Sequence, residues 1–141
     1  MTANTVIVDT SNSPAKLAFA DRFNVAVPFI DRHLDEGRGD KIAIRDDDGD
    51  TTYAQLATAV NRAGNALMDL GLAPGDRVIL AIKDCPAFFF AFWGAIKAGF
   101  VPVPVNTLLR AKDLQFIIED SGAACSIWSP EYAAEMGPAL A

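Results

Sequence analysis

The chain has 141 residues, the length of one domain, and 51% of them are hydrophobic against 21% charged, which excludes a disordered tail or a low-complexity chain. Twelve Lys and Arg face eighteen Asp and Glu, for a net charge of −6, so neither nucleic acid nor an anionic membrane surface is the expected partner. Cys85 and Cys125, with one histidine, are too few for a four-ligand zinc site. The N-terminus lacks a basic start followed by an apolar core. Both thiols therefore read as reduced, structural cysteines of a cytoplasmic protein.

Residues 1–22 read as an arm without a period, although Val6, Ile7 and Val8 suit a short strand and Thr10 to Pro14 suit a turn. Val27, Phe29, Ile30 and Leu34 recur at helical spacing, with Pro28 tolerated in the first turn, and Gly37 and Gly39 stop the helix. Residues 41–45 alternate as a strand with Ile42 and Ile44 on one face. The turn Asp46-Asp47-Asp48-Gly49-Asp50 leads to a return strand over 51–53. Leu56, Val60, Ala63, Leu67 and Leu70 then mark a long amphipathic helix closed by Gly71.

After the turn at Pro74-Gly75, residues 77–82 form an apolar strand of the kind covered on both faces. Helices are expected over 86–98 and 111–120, strands over 100–105 and 124–128, and a last helix from Glu131. This alternation defines an α/β fold: a parallel sheet flanked by helices, preceded by a β-hairpin. Pro102 and Pro104 lie two apart, so their missing N–H donors point the same way and strand 100–105 should be short, or pair properly on one side only. Phe88, Phe89, Phe90, Phe92 and Trp93 cannot share one helix face, so a cover beyond the sheet is expected. Between residues 86 and 105 the only charge is Lys97, yet Gly94, Gly99, Pro102 and Pro104 break the run. Its unbroken apolar part suits a core helix and not a membrane span.

The common phosphate-binding glycine patterns are absent. The Asp46–Asp50 run fails as a calcium loop, because aligning Gly49 with the invariant glycine puts Ile44 and Gln55 at the end ligands. His33 has no nucleophile placed against it. Lys83 and Asp84 end the apolar strand, where open α/β sheets bind ligands, although a polar residue there is also the ordinary way to end a buried strand.

Thr52-Tyr53-Ala54-Gln55-Leu56, Val60-Asn61-Arg62-Ala63 and Gly71-Leu72-Ala73-Pro74-Gly75-Asp76-Arg77-Val78 resemble, in order and spacing, segments of the adenylate-forming enzymes. The run Gly94-Ala95-Ile96-Lys97-Ala98-Gly99-Phe100-Val101-Pro102-Val103-Pro104-Val105-Asn106 resembles their second signature. Phe23-Asn24-Val25-Ala26, Phe29-Ile30-Asp31-Arg32, Gly37-Arg38-Gly39-Asp40-Lys41 and Asn106-Thr107-Leu108-Leu109 are similar to benzoate-CoA ligases within that superfamily.

The resemblance implies a two-step reaction. An acid carboxylate attacks ATP to give acyl-adenylate and pyrophosphate, and the CoA thiol then attacks the mixed anhydride. Positioning and charge stabilisation carry such chemistry. It implies ATP, Mg2+ and CoA as cofactors of a longer parent with a benzoate-like acid as substrate. Residues 23–141 would be an incomplete N-terminal subdomain, with the Ser/Thr/Gly-rich phosphate loop and catalytic lysine beyond Ala141. The chain alone is then expected to be inactive, to bind none of these cofactors, and to self-associate through the aromatic helix. No catalytic residue and no metal ligand transfers to this sequence. Arg110, with Lys112, falls where relatives carry basic residues near the CoA phosphates, but Leu108 departs from the basic pattern and a solvated helix-start arginine is the alternative. Two other readings stay open: a flavodoxin-like or response-regulator-like module, with Asp84 in its acidic site, or a ligase for a different acid.

Overall fold

The computed structural model describes residues 3–141, so the first two residues of the arm lie outside the described residues. The arm is more regular than its sequence suggests. β1 (Val6–Asp9) pairs antiparallel with β2 (Lys16–Phe19), Val6 opposite Phe19 and Val8 opposite Leu17. The strand at Val6 and the turn after it are as expected, but the return strand is not read from sequence, because Lys16-Leu17-Ala18-Phe19 does not alternate apolar with polar.

A π-helical turn (Val27–Asp31) runs into α1 (Arg32–Asp35), one continuous helical stretch with Pro28 in its first turn. Gly37 ends it at φ 72°, a left-handed conformation that costs glycine no Cβ clash. β3 (Ile42–Asp46) and β4 (Gly49–Thr52) form the expected hairpin about a two-residue turn at Asp47 and Asp48. A register shift between Ile42 and Ile44 breaks the expected alternation. Ala43 and Ile44 pack inward, while Ile42 is exposed.

Tyr53 opens α2 (Tyr53–Asp69) and does not extend the strand. The reason is a capping box. Thr52 Oγ1 accepts from Gln55 N at 3.3 Å, and Thr52 N donates to Gln55 Oε1 at 2.8 Å. Leu56, Val60 and Leu67 are buried, but Leu70 is 70% exposed at the helix end.

β5 (Arg77–Ala81) is the centre of a three-stranded parallel sheet ordered β6-β5-β7, with β6 at Val101–Pro104 and β7 at Cys125–Trp128. α3 (Pro86–Lys97) and α4 (Ala111–Ser121) make the crossovers, and α5 (Ala133–Ala139) follows a 3-10 turn at Pro130–Tyr132. Val78, Leu80 and Ile82 pack with Leu67, Ala91 and Ala95 on the α2/α3 face, and Ala81 packs with Leu114, Met136 and Ala139 on the α4/α5 face. One strand thus feeds two cores, which is why its sequence is apolar throughout.

Among the described residues β6 is short, four residues, and pairs with β5 alone, in line with its two prolines. Val101 N and Val105 N donate to Asp76 O and Leu80 O, so the alternate positions, Pro102 and Pro104, face away from β5. α3 crosses α2 at Gly94 and Gly64. Its aromatic face is covered in part by the earlier elements: Phe90 and Trp93 pack against the Ile30, Leu56 and Val60 cluster, and Trp93 stacks on Phe29 at 5.4 Å. Phe89 remains 41% exposed. Among the described residues no helix is long and apolar enough to cross a membrane.

Candidate functional site at the carboxyl edge of the sheet

The loop after β5 runs into α3 on one face, and the chain after β7 runs into α5 on the other. Neighbouring strands whose connections leave in opposite directions create a crevice at their carboxyl ends, the usual ligand position of open α/β sheets. Lys83 lies at this crevice. Its backbone N donates to Ser129 Oγ at 3.1 Å, and its Nζ meets Glu131 Oε1 at 2.9 Å. Ser129 is buried, and its own N donates to Ala81 O at 3.0 Å, which ties the β5 and β7 ends together. The hydrogen bond and charge of Glu131 push the Lys83 ammonium upward, and the same bond pulls the Glu131 carboxyl down. Asp84 lies on the α3 side, beside Arg45, Asp46 and Cys85.

The loop after β6 supplies the second part of the edge. Asn106 Oδ1 accepts from Leu108 N at 2.9 Å, a local turn that aims Leu108 into solvent and brings Arg110 to the start of α4. The Arg110 side chain is 81% exposed. Its Nη1 meets Glu135 Oε1 at 3.0 Å, while Glu135 Oε2 accepts from Ala111 N at 2.7 Å. Glu135 so caps α4 from another helix, and these hydrogen bonds hold its carboxyl below the ordinary value of about 4.5.

Of the residues singled out in the sequence, Lys83 and Arg110 both reach the sheet's carboxyl edge, whereas His33 lies apart. His33 stacks on Tyr53 at 3.8 Å, and Arg38 Nε donates to its Nδ1 at 3.1 Å. Burial first, then Arg38 and Arg32, lowers its pKa below the usual 6.5. Sequence reading missed Ser129, Glu131 and Glu135. Their partners lie 46, 48 and 25 residues away in the chain, so no local spacing betrays them. Among the described residues no group of three or more His, Cys, Asp or Glu side chains could hold a metal ion.

The hairpin, the doubly covered parallel sheet and the turn after the Pro-x-Pro strand are the opening elements of an adenylate-forming domain. The chain matches the AMP-binding enzyme family over residues 31–139 and belongs to it. It is 42% identical over 135 residues to a benzoate–CoA ligase of Thauera aromatica, covering 95% of this chain and 26% of that protein. It is 43% identical over 110 residues to a 4-hydroxybenzoate–CoA/benzoate–CoA ligase of Rhodopseudomonas palustris, covering 78% of this chain and 20% of the relative. A solved benzoate CoA ligase from Burkholderia xenovorans LB400 superposes with TM-score 0.78 and 39% identity, over 84% of this chain and 24% of that one. The chain thus spans about a quarter or less of the length of these relatives. The order β6-β5-β7 also begins flavodoxin-like sheets, so topology alone does not separate the two readings. The family match favours the adenylate-forming one.

Proposed function

We propose that residues 23–141 are the first part of the N-terminal domain of a cytoplasmic, AMP-forming aromatic-acid CoA ligase acting on a benzoate-like acid. The observation that carries this reading is the 42% identity to a benzoate–CoA ligase across 95% of the chain. That breadth takes in the arm and helix before β3 as well as the superfamily segments. ATP, with Mg2+, and CoA would be consumed by the whole enzyme, and this chain's share would be to build the sheet edge on which the phosphate-bearing groups are held.

Arg110 is the residue here with the chemistry for a CoA phosphate. It is cationic, exposed, and follows the Pro-x-Pro strand at the sheet's carboxyl edge. To meet a phosphate it would exchange the Glu135 carboxylate for the ligand. Among the described residues no cluster of three or more His, Cys, Asp or Glu side chains forms, and no residue here is assigned to Mg2+. The test is ATP–pyrophosphate exchange. The product of the complete reading frame should exchange with benzoate and far less with a long-chain fatty acid, and these 141 residues alone should not exchange. Exchange by the short chain, or indifference of the long one to benzoate, would overturn the reading.

A further inference from the structure

A second concave site lies away from the sheet edge, between the N-terminal hairpin and the first helix. This cleft holds about 610 Å3, inside the range of roughly 300–1,000 Å3 typical of small-molecule sites. Its wall is apolar. Leu17 and Phe19 come from β2, Phe23 from the segment after it, and Phe29 from the helix. Register puts Val6, Val8, Leu17 and Phe19 on one hairpin face. Phe19 and Phe29 remain 51% and 57% exposed, although each touches another ring, Phe23 and Trp93 respectively.

Polar groups are confined to the end formed by Arg32, His33 and Tyr53. There the ring nitrogen able to accept, His33 Nδ1, is already taken by Arg38 Nε, which leaves the proton of the neutral ring on Nε2. A guanidinium offers donors only. The Glu36 carboxylate is held by Arg38 and reaches Arg32 at no less than 3.9 Å. Asp31, on the same helical stretch, is engaged by Lys97 at 2.6 Å. The charges that act on His33 are Arg32, Arg38 and Lys41 against Glu36. Of the residues lining the cleft, Arg32 carries the positive charge.

We propose that the cleft binds an apolar monocarboxylate larger than benzoate, its rings or acyl chain among Phe19, Phe23 and Phe29 and its carboxylate against Arg32 beside His33. A carboxylate gives the Arg32 guanidinium a charge-assisted hydrogen bond that a neutral apolar molecule does not, and a polyanion would have no use for the aromatic wall. Benzoate would fill only a small part of a cleft of about 610 Å3. The inference does not rest on the proposed ligase activity, because the cleft is built from this chain alone and is separate from the sheet edge.

His33 is the single histidine, so its ring C–H resonance reports on this cleft without assignment of other signals. Titration of the 141-residue chain with 2-naphthoate should move that resonance saturably, with a Kd below about 1 mM. The neutral analogue 2-naphthylmethanol should bind roughly tenfold more weakly, and Arg32→Met, which keeps the apolar stem, should lose about the same factor for naphthoate. Should Arg32→Met fail to fold by circular dichroism, Arg32→Gln takes its place. Absence of a saturable shift, equal binding of acid and alcohol, or undiminished affinity in the arginine variant would overturn the proposal. So would a His33 resonance that moves with protein concentration alone, the mark of a second copy occupying the cleft.

Discussion

Arg110 and Glu135 show how a single contact links the site to stability. Glu135 serves two donors, the Arg110 guanidinium and the Ala111 backbone N–H at the start of α4. Its carboxyl is lowered below about 4.5 in the folded chain. A depressed carboxyl stabilises above its unfolded pKa, and that contribution is lost as pH falls through the folded value. The melting temperature of Glu135→Gln should therefore lie below that of the parent at pH 7 and converge on it toward pH 3. Parallel curves would show that the charge contributes nothing. For Arg110 the readout is kinetic. In the whole ligase, Arg110→Ala should raise the KM for CoA several-fold and leave benzoate-dependent pyrophosphate exchange unchanged, since exchange precedes CoA entry. An unchanged KM would make Arg110 a solvated helix-start residue held by Glu135.

At the level of elements, the contact between α2 and α3 is set by two glycines. A Cβ on Gly94 would sit 2.7 Å from Ala63 Cβ and 2.9 Å from both Gly64 N and Val60 O. Two of those three atoms are backbone, so the helices must move apart. Gly94→Ala should cost about 1–3 kcal/mol, the range for overpacking, and lower the melting temperature by several degrees. Gly137→Ala in α5 is the control. Its added Cβ meets nothing within 4 Å, and a stability equal to or above the parent's is expected. Equal effects at the two positions would mean that the helix crossing is looser than these distances imply.

For the whole molecule, the unsettled surface is the apolar groove lined by Leu67, Leu70, Phe90, Ile127 and Trp128 together with neighbouring alanines. Part of it is β7, which among the described residues pairs with β5 alone. Exposed strand edges and apolar patches favour association. We propose that the 141-residue chain self-associates through this face and the adjoining aromatic helix. Sedimentation across a concentration series should show a reversible dimer or larger species, weakened by Phe89→Ser. A monomer at millimolar concentration would count against it.

What was legible in the sequence followed from local periodicity and from short motifs. The 3.6-residue spacing of α2, the unbroken apolar run of β5 and the two prolines of β6 each record a single element's surroundings, so the α/β class and the one-sided pairing of β6 could be read without coordinates. Lys83 was visible because it ends an apolar strand, and Arg110 because the chain resembles ligases that carry basic residues after the Pro-x-Pro strand. Ser129, Glu131 and Glu135 were not, because contacts across 25 to 48 residues exist only once β5, β6 and β7 are side by side. The N-terminal hairpin and its cleft also belong to the tertiary structure. The return strand Lys16–Phe19 carries no alternation to be seen alone, and the cleft exists only once the hairpin packs beside Phe29, Arg32 and His33, residues brought together by the fold and not by spacing.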